Sequence, residues 1–80
     1  MATVTKCPAG VWTTVALTAG ADNSVEARGS IYYTTDGSEP ADPSVAMSMV
    51  AMETRVINGD LTLKVQPSNI KYSRVVVDLI

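Results

Sequence analysis

Three carboxylates in one short stretch, Asp36, Glu39 and Asp42, are the first place where chemistry could sit in this 80-residue chain. Oxygen donors so close together could hold calcium. An EF-hand-like loop, however, needs more ligands and a distal bidentate glutamate, and this spacing does not provide them. Nucleophilic catalysis has less to work with. Serines and threonines are plentiful, but there is no histidine to act as their base. Acid–base catalysis by paired carboxylates needs a pocket that separates their pKa values, and so short a β chain seldom encloses one. Cys7 is the only cysteine, with Lys6 as its one activating neighbour, and reads as a half-buried structural thiol. No catalytic residue, metal site or cofactor is expected, and the chain reads as a non-enzyme.

The remaining candidates bind rather than react. Trp12 falls on the more polar face of its segment, where it could stack on a sugar ring. Core or interface use weighs more for it, since no phenylalanine is present to fill the interior and tryptophan is enriched in interface hot spots. Tyr32 and Tyr33 are neighbours on an extended segment and must point to opposite faces. A sugar platform is therefore limited to Trp12 with Tyr32. The run "VAMSMVAM" (45–52) is the other candidate. Met47, Met49, Val50 and Met52 could form an adaptable contact surface as readily as a core.

Composition sets bounds on these readings. One domain spanning residues 1–80 is all the length allows. A chain this short buries only roughly 60–65% of its unfolded surface, so its own core is marginal. A lone cysteine cannot form an intrachain disulfide, and it cannot make a structural zinc site. Of the usual supports for a small fold, a partner subunit is left. The apolar fraction of 46% argues against disorder. The net charge is −2, with Lys6, Arg28, Arg55, Lys64, Lys71 and Arg74 scattered along the sequence. That scatter argues against nucleic acid, which needs a clustered basic footprint. No apolar run approaches the roughly 20 residues of a membrane helix, and no signal-peptide pattern opens the chain. The Met-Ala-Thr start reads as a complete polypeptide made in the cytoplasm.

The elements that would position these residues read as β-strands. "GVWTTVALTAG" (10–20) alternates, with Val11, Thr13, Val15 and Leu17 on one face. A second strand runs from Val25 to Tyr33, with Gly29 marking a bulge or a close backbone approach. Asn58-Gly59 reads as a tight hairpin turn leading into Leu61, Leu63 and Val65 on an inward face. The last segment shifts phase between Ile70/Tyr72 and Val75/Val77/Leu79, as a bulge near Ser73-Arg74 would produce. Asp42-Pro43 resembles a helix start, but a loop or short edge strand followed by a strand over Thr54–Ile57 fits the stretch 42–57 better. Short connections favour antiparallel pairing. The expected fold is all-β: a small antiparallel β-sandwich or barrel of about six short strands.

Two resemblances add to this. "YYTTDGSEP" (Tyr32–Pro40) resembles a strand-turn signature of immunoglobulin-like accessory domains in bacterial glycoside hydrolases, the chitobiase C-terminal type. That family implies a β-sandwich hairpin and no catalytic residues. The layout as a whole, with its Trp-bearing strand "GVWTTVAL", Tyr-rich central strand, Pro-containing loop and closing "YSRVVV", is similar to small virion accessory proteins of tailed bacteriophages. These decorate capsids or build collars, fibres and tail adaptors. The resemblance implies a virion structural protein made in the host cytoplasm, acting as a homo-oligomer bound to capsid or tail proteins. The competing expectation is a carbohydrate-binding module using Trp12 and Tyr32.

Overall fold

The computed structural model describes residues 2–68 and 71–80. Eight strands form two four-stranded sheets that pack face to face. They are β1 (Thr3–Cys7), β2 (Thr13–Val15), β3 (Asp22–Ala27), β4 (Ile31–Thr34), β5 (Met47–Met49), β6 (Thr54–Asn58), β7 (Leu63–Pro67) and β8 (Ser73–Leu79). One sheet has the order β1-β8-β3-β6 and the other β2-β7-β4-β5. Every pairing between these strands is antiparallel. The all-β sandwich is therefore the architecture, with more strands than the sequence suggests, and it does not close into a barrel.

The difference in strand count has two sources: β1, over Thr3–Cys7, is not foreseen in the sequence, and one expected strand is split between the two sheets. The chain crosses from one sheet to the other at every connection except β4 to β5. The continuous strand expected from Val25 to Tyr33 is thus two strands, β3 and β4, in different sheets. Gly29 lies at the corner between them, where Ser73 Oγ donates to its carbonyl at 3.3 Å. A Cβ on Gly29 would stand 3.0 Å from that hydroxyl, so the glycine marks a close approach and not a bulge.

The Asn58-Gly59 turn is a second crossing and not a hairpin. β6 pairs with β3, whereas β7 pairs with β2 and β4. Gly59 has no positive φ; a Cβ there would overlap the Thr18 carbonyl, 2.6 Å from its carbon. Glycine is required here for space, not for a left-handed backbone. Leu61 is consequently exposed, while Leu63 and Val65 are buried as expected.

β8 pairs residue for residue with β1 from Cys7↔Ser73 to Thr3↔Val77, so no bulge interrupts it at Ser73-Arg74. Ser73, Val75 and Val77 face the core. Tyr72 precedes the strand and is exposed; Ile70 lies outside the described residues. The stretch 42–57 holds a single 3₁₀ turn, Pro43–Val45, capped by Asp42, whose carboxylate accepts from Ser44 N–H at 3.1 Å. The short edge strand β5 and then β6 follow it.

The core lies between the sheets. Val25, Ala27, Ile57, Val75, Val77 and Cys7 come from one, and Val15, Ile31, Tyr33, Met49, Leu63 and Val65 from the other. Besides Ser73, a larger polar side chain is built into it. Asn23 is fully buried, and its amide donates to the carbonyls of Ala21 (3.0 Å), Thr18 (3.2 Å) and Ile57 (3.5 Å). Its Oδ1 accepts from Thr18 N–H at 3.0 Å. The amide thus ties the β2–β3 connection to β6, and full pairing offsets the cost of burying it.

Candidate functional site

The three carboxylates do not converge. Asp36 accepts from the Ser38 N–H (3.0 Å) and hydroxyl (2.6 Å), which hold its pKa below the usual carboxylate range, the hydroxyl bond most. Asp42 is occupied in the same way by Ser44. Glu39 pairs with Lys64 at 2.9 Å. Among the described residues no group of three or more acidic or thiol side chains could hold a metal ion. "YTTDGSEP" is thereby accounted for as an Asx-type turn. Gly37 takes φ +78°, and Thr34 Oγ1 donates back to Ser38 O at 2.7 Å.

Cys7 is buried, and burial pushes its thiol up to about 11, only partly opposed by a hydrogen bond from Thr13. A thiol held protonated in this way is a poor nucleophile. No Ser-x-x-Lys pairing, the spacing of lysine-activated serines, was expected in the sequence, yet Ser68 and Lys71 stand at that spacing. Both are exposed, and the two residues between them lie outside the described structure.

Of the aromatic candidates, Tyr33 is in the core. Tyr32 lies on the outer face of the β2-β7-β4-β5 sheet, opposite Gln66 on β7 and Ser48 on β5. Trp12, one residue ahead of β2, continues the phase of Thr14 onto the same outer face. Its ring is half-buried, and Nε1 donates to Pro40 O at 3.1 Å, tying the β4–β5 loop to the sheet. Tyr32 is also half-buried.

The methionine run divides. Met49 is a core residue, 1% exposed, because β5 places it opposite Ile31; it must be withdrawn from the contact surface. Met47, Val50 and Met52 are exposed and are joined by Val45. All four belong to the ten residues from Pro43 to Met52, which carry no charge. β5 is the outermost strand of its sheet, so this apolar stretch borders unpaired backbone. Edge strands normally carry charges, prolines or bulges that discourage pairing. The turn after β5 adds a further feature. Met52 takes φ +69°, and its N–H donates to Ala27 O at 2.6 Å, while Glu53 N–H donates to Val50 O at 3.1 Å. Glu53 holds the turn closed by accepting from Val50 N–H and from Arg55 Nε, both at 3.1 Å. These contacts lower its pKa, the backbone bond most.

The fold also creates a grouping that sequence distance hides. Lys6, Arg28, Lys71 and Arg74 come together at one end of the other sheet, around Tyr72. The Lys6 ammonium lies 4.3 Å and the Arg74 guanidinium 5.0 Å from the ring centroid. An open groove of about 260 Å³ runs between Arg28, Gly29, Lys71, Tyr72, Ser73 and Arg74. Four of the six basic residues are thus scattered in sequence but close in space. Strand register, unknown from the sequence, is what joins them.

Compared with protein-family models, curated proteins and solved structures, the chain matches none.

Proposed function

We propose that this protein is a non-enzymatic structural component that works by self-assembly and by docking on a larger particle. The setting we propose is the virion of a tailed bacteriophage, as a capsid decoration, collar or tail adaptor. The uncharged edge from Val45 to Met52 carries the reading. Folding alone would favour glycine at the φ +69° position, where any other residue costs on the order of 1 kcal/mol. An exposed methionine there, next to exposed Val50 on an unguarded edge, is explained by contact with a partner. Light scattering across a concentration range, with the Val50→Asp/Met52→Asp variant beside the unmodified chain, tests this. The variant should lose edge-dependent assembly and keep its β-sheet spectrum and unfolding midpoint. Assembly that persists unchanged in the variant overturns the edge assignment.

A second reading, a carbohydrate-binding module, draws support from Trp12 and Tyr32. They share an outer face across β7, two strand spacings or roughly 10 Å apart. A glycan screen in which Trp12→Ala and Tyr32→Ala both abolish binding would favour it over assembly.

A further inference from the structure

Lys6, Arg74 and Arg28 form a row that puts like charges side by side. Lys6 on β1 stands directly opposite Arg74 on β8, and Arg28 follows through its N–H bond to Arg74 O at 2.8 Å. Cys7 and Ser73 face the core, so the alternation of the strands turns Lys6 and Arg74 outward. Like charges directly opposite one another on neighbouring strands disfavour the sheet. Glu26 on β3 pairs with Arg28 at 3.2 Å. Among the described residues, however, Lys6 and Arg74 have no ion-pair partner, although the chain holds more acids than bases. What they share is the Tyr72 ring, with both cationic heads within 5.0 Å of its centroid. Both side chains are exposed, and among the described residues neither head donates a hydrogen bond.

We propose that this row and the groove beside it bind the dianionic phosphate group of a small molecule. The two uncompensated charges of Lys6 and Arg74 match those of a phosphate monoester, whereas a carboxylate carries only half as much. Three terminal oxygens let one group accept from the Arg74 fork and from the Lys6 ammonium together. An anion so placed also relieves the repulsion between the two cations, which nothing else among the described residues does.

The groove, about 260 Å³, is smaller than the roughly 300–1,000 Å³ of pockets that enclose drug-sized ligands. A phosphate group fits it, and whatever carries the phosphate stays outside. Tyr72 is not open for stacking on a base, because its own cations lie over the ring. That favours a small phosphate ligand over single-stranded nucleic acid, which is held largely by stacking. The site lies on the β1-β8-β3-β6 sheet and does not depend on the self-assembly reading, whose edge belongs to the other sheet.

Titration with glycerol 2-phosphate at an ionic strength held constant with chloride tests the site, read by proton–nitrogen correlation spectra of the backbone around Tyr72 and Arg74. Two or three charge-assisted hydrogen bonds on an open surface support a Kd on the order of 1 mM. Binding should strengthen as pH rises through about 6, where the ester loses its second proton. Inorganic phosphate runs in parallel: equal affinity assigns the binding to the phosphate group alone, and tighter ester binding adds a contact to the carrier. Arg74→Gln and Lys6→Gln should each weaken binding about tenfold or more. Arg55→Gln removes the same charge from β6 and should leave binding nearly unchanged. Should Arg74→Gln fail to fold by circular dichroism, Lys6→Gln alone carries the test. Acetate binding as tightly as the ester, equal losses in all three variants, or spectra that the ester does not move overturn the site. An oligonucleotide that binds far more tightly than the ester overturns the small-ligand assignment. Val50→Asp/Met52→Asp should bind the ester like the unmodified chain, so the edge reading stands or falls separately.

Discussion

Gly59→Ala should be among the most damaging single-methyl additions in this protein, for a reason that only the packed structure reveals. Its backbone is one that alanine can adopt, so local preference predicts a near-neutral change. The space does not allow it. The new methyl would sit 3.1 Å from Ala19 Cα and 2.6 Å from the Thr18 carbonyl carbon, with the carbonyl oxygen nearer still. Both contacts are backbone, so the two connections must separate by about 1 Å or more for the methyl to fit. Separation stretches the Gly59 N–H bond to Ala21 O, now 2.8 Å. It also displaces the Thr18 carbonyl from the Asn23 amide. Overpacking of this kind costs about 1–3 kcal/mol, and the two stretched hydrogen bonds together about 1 more. The expected loss is roughly 2–4 kcal/mol. For 80 residues the total stability is of the order of 4–12 kcal/mol. A Tm fall of roughly 10–25 °C should follow. Urea unfolding monitored by Trp12 fluorescence measures the loss, with Gly20→Ala as the comparison. Gly20 has open space around it but φ +74°, so alanine there should cost only about 1–2 kcal/mol. A Gly59→Ala loss smaller than the Gly20→Ala loss would refute the steric account.

The remaining expectations concern the core. Asn23→Leu leaves the Thr18, Ala21 and Ile57 carbonyls short of a donor and should cost about 3 kcal/mol or more in the same urea assay. Asn23→Asp turns a carboxyl toward those carbonyls, which raises its folded pKa. Its deficit against the unmodified chain should be smallest below the unfolded value of about 3.9 and should grow as pH rises toward 7. Cys7 titrates in the same sense at higher pH. Its thiol ionises near 9 when unfolded and at about 11 when folded. The stability it confers is complete below pH 9 and should fall by on the order of 2–3 kcal/mol as pH rises through 11. Cys7→Ala should abolish that part of the pH dependence, and equal slopes in the two proteins would exclude it.

The period-2 alternation of Val15, Val25, Leu63, Val65, Val75 and Val77 reports local extended backbone and burial, and it made the all-β class legible. Sheet membership was not legible, because alternation is the same whether the next strand pairs alongside or crosses to the opposite sheet. Gly29, read as a bulge or a close approach, and Gly59, read as a hairpin turn, are therefore both crossings, which neither reading contains. Met49 could not be separated from Met47 by residue type. Only pairing with Ile31 places it inside. The grouping of Lys6 with Arg74 depends on the β1–β8 register, and no local pattern in either segment encodes it. The left-handed backbone at Met52 was likewise hidden, since glycine or asparagine is the residue that would announce it.

The pairing pattern also orders events in time. Among the described residues, β4 and β5 are the only consecutive strands that pair with each other, and closing their loop is the least demanding long step in the fold. β1 and β3 have no shared neighbour until β8, which follows both in the sequence, inserts between them. Topologies of this kind reach the native state in milliseconds to seconds, slowly for their size. During that interval a β4–β5 ribbon with its bare apolar border can exist while the opposite sheet is still open. The border is then available to other chains before the molecule is finished, so dilution during refolding should raise the yield of correctly folded protein.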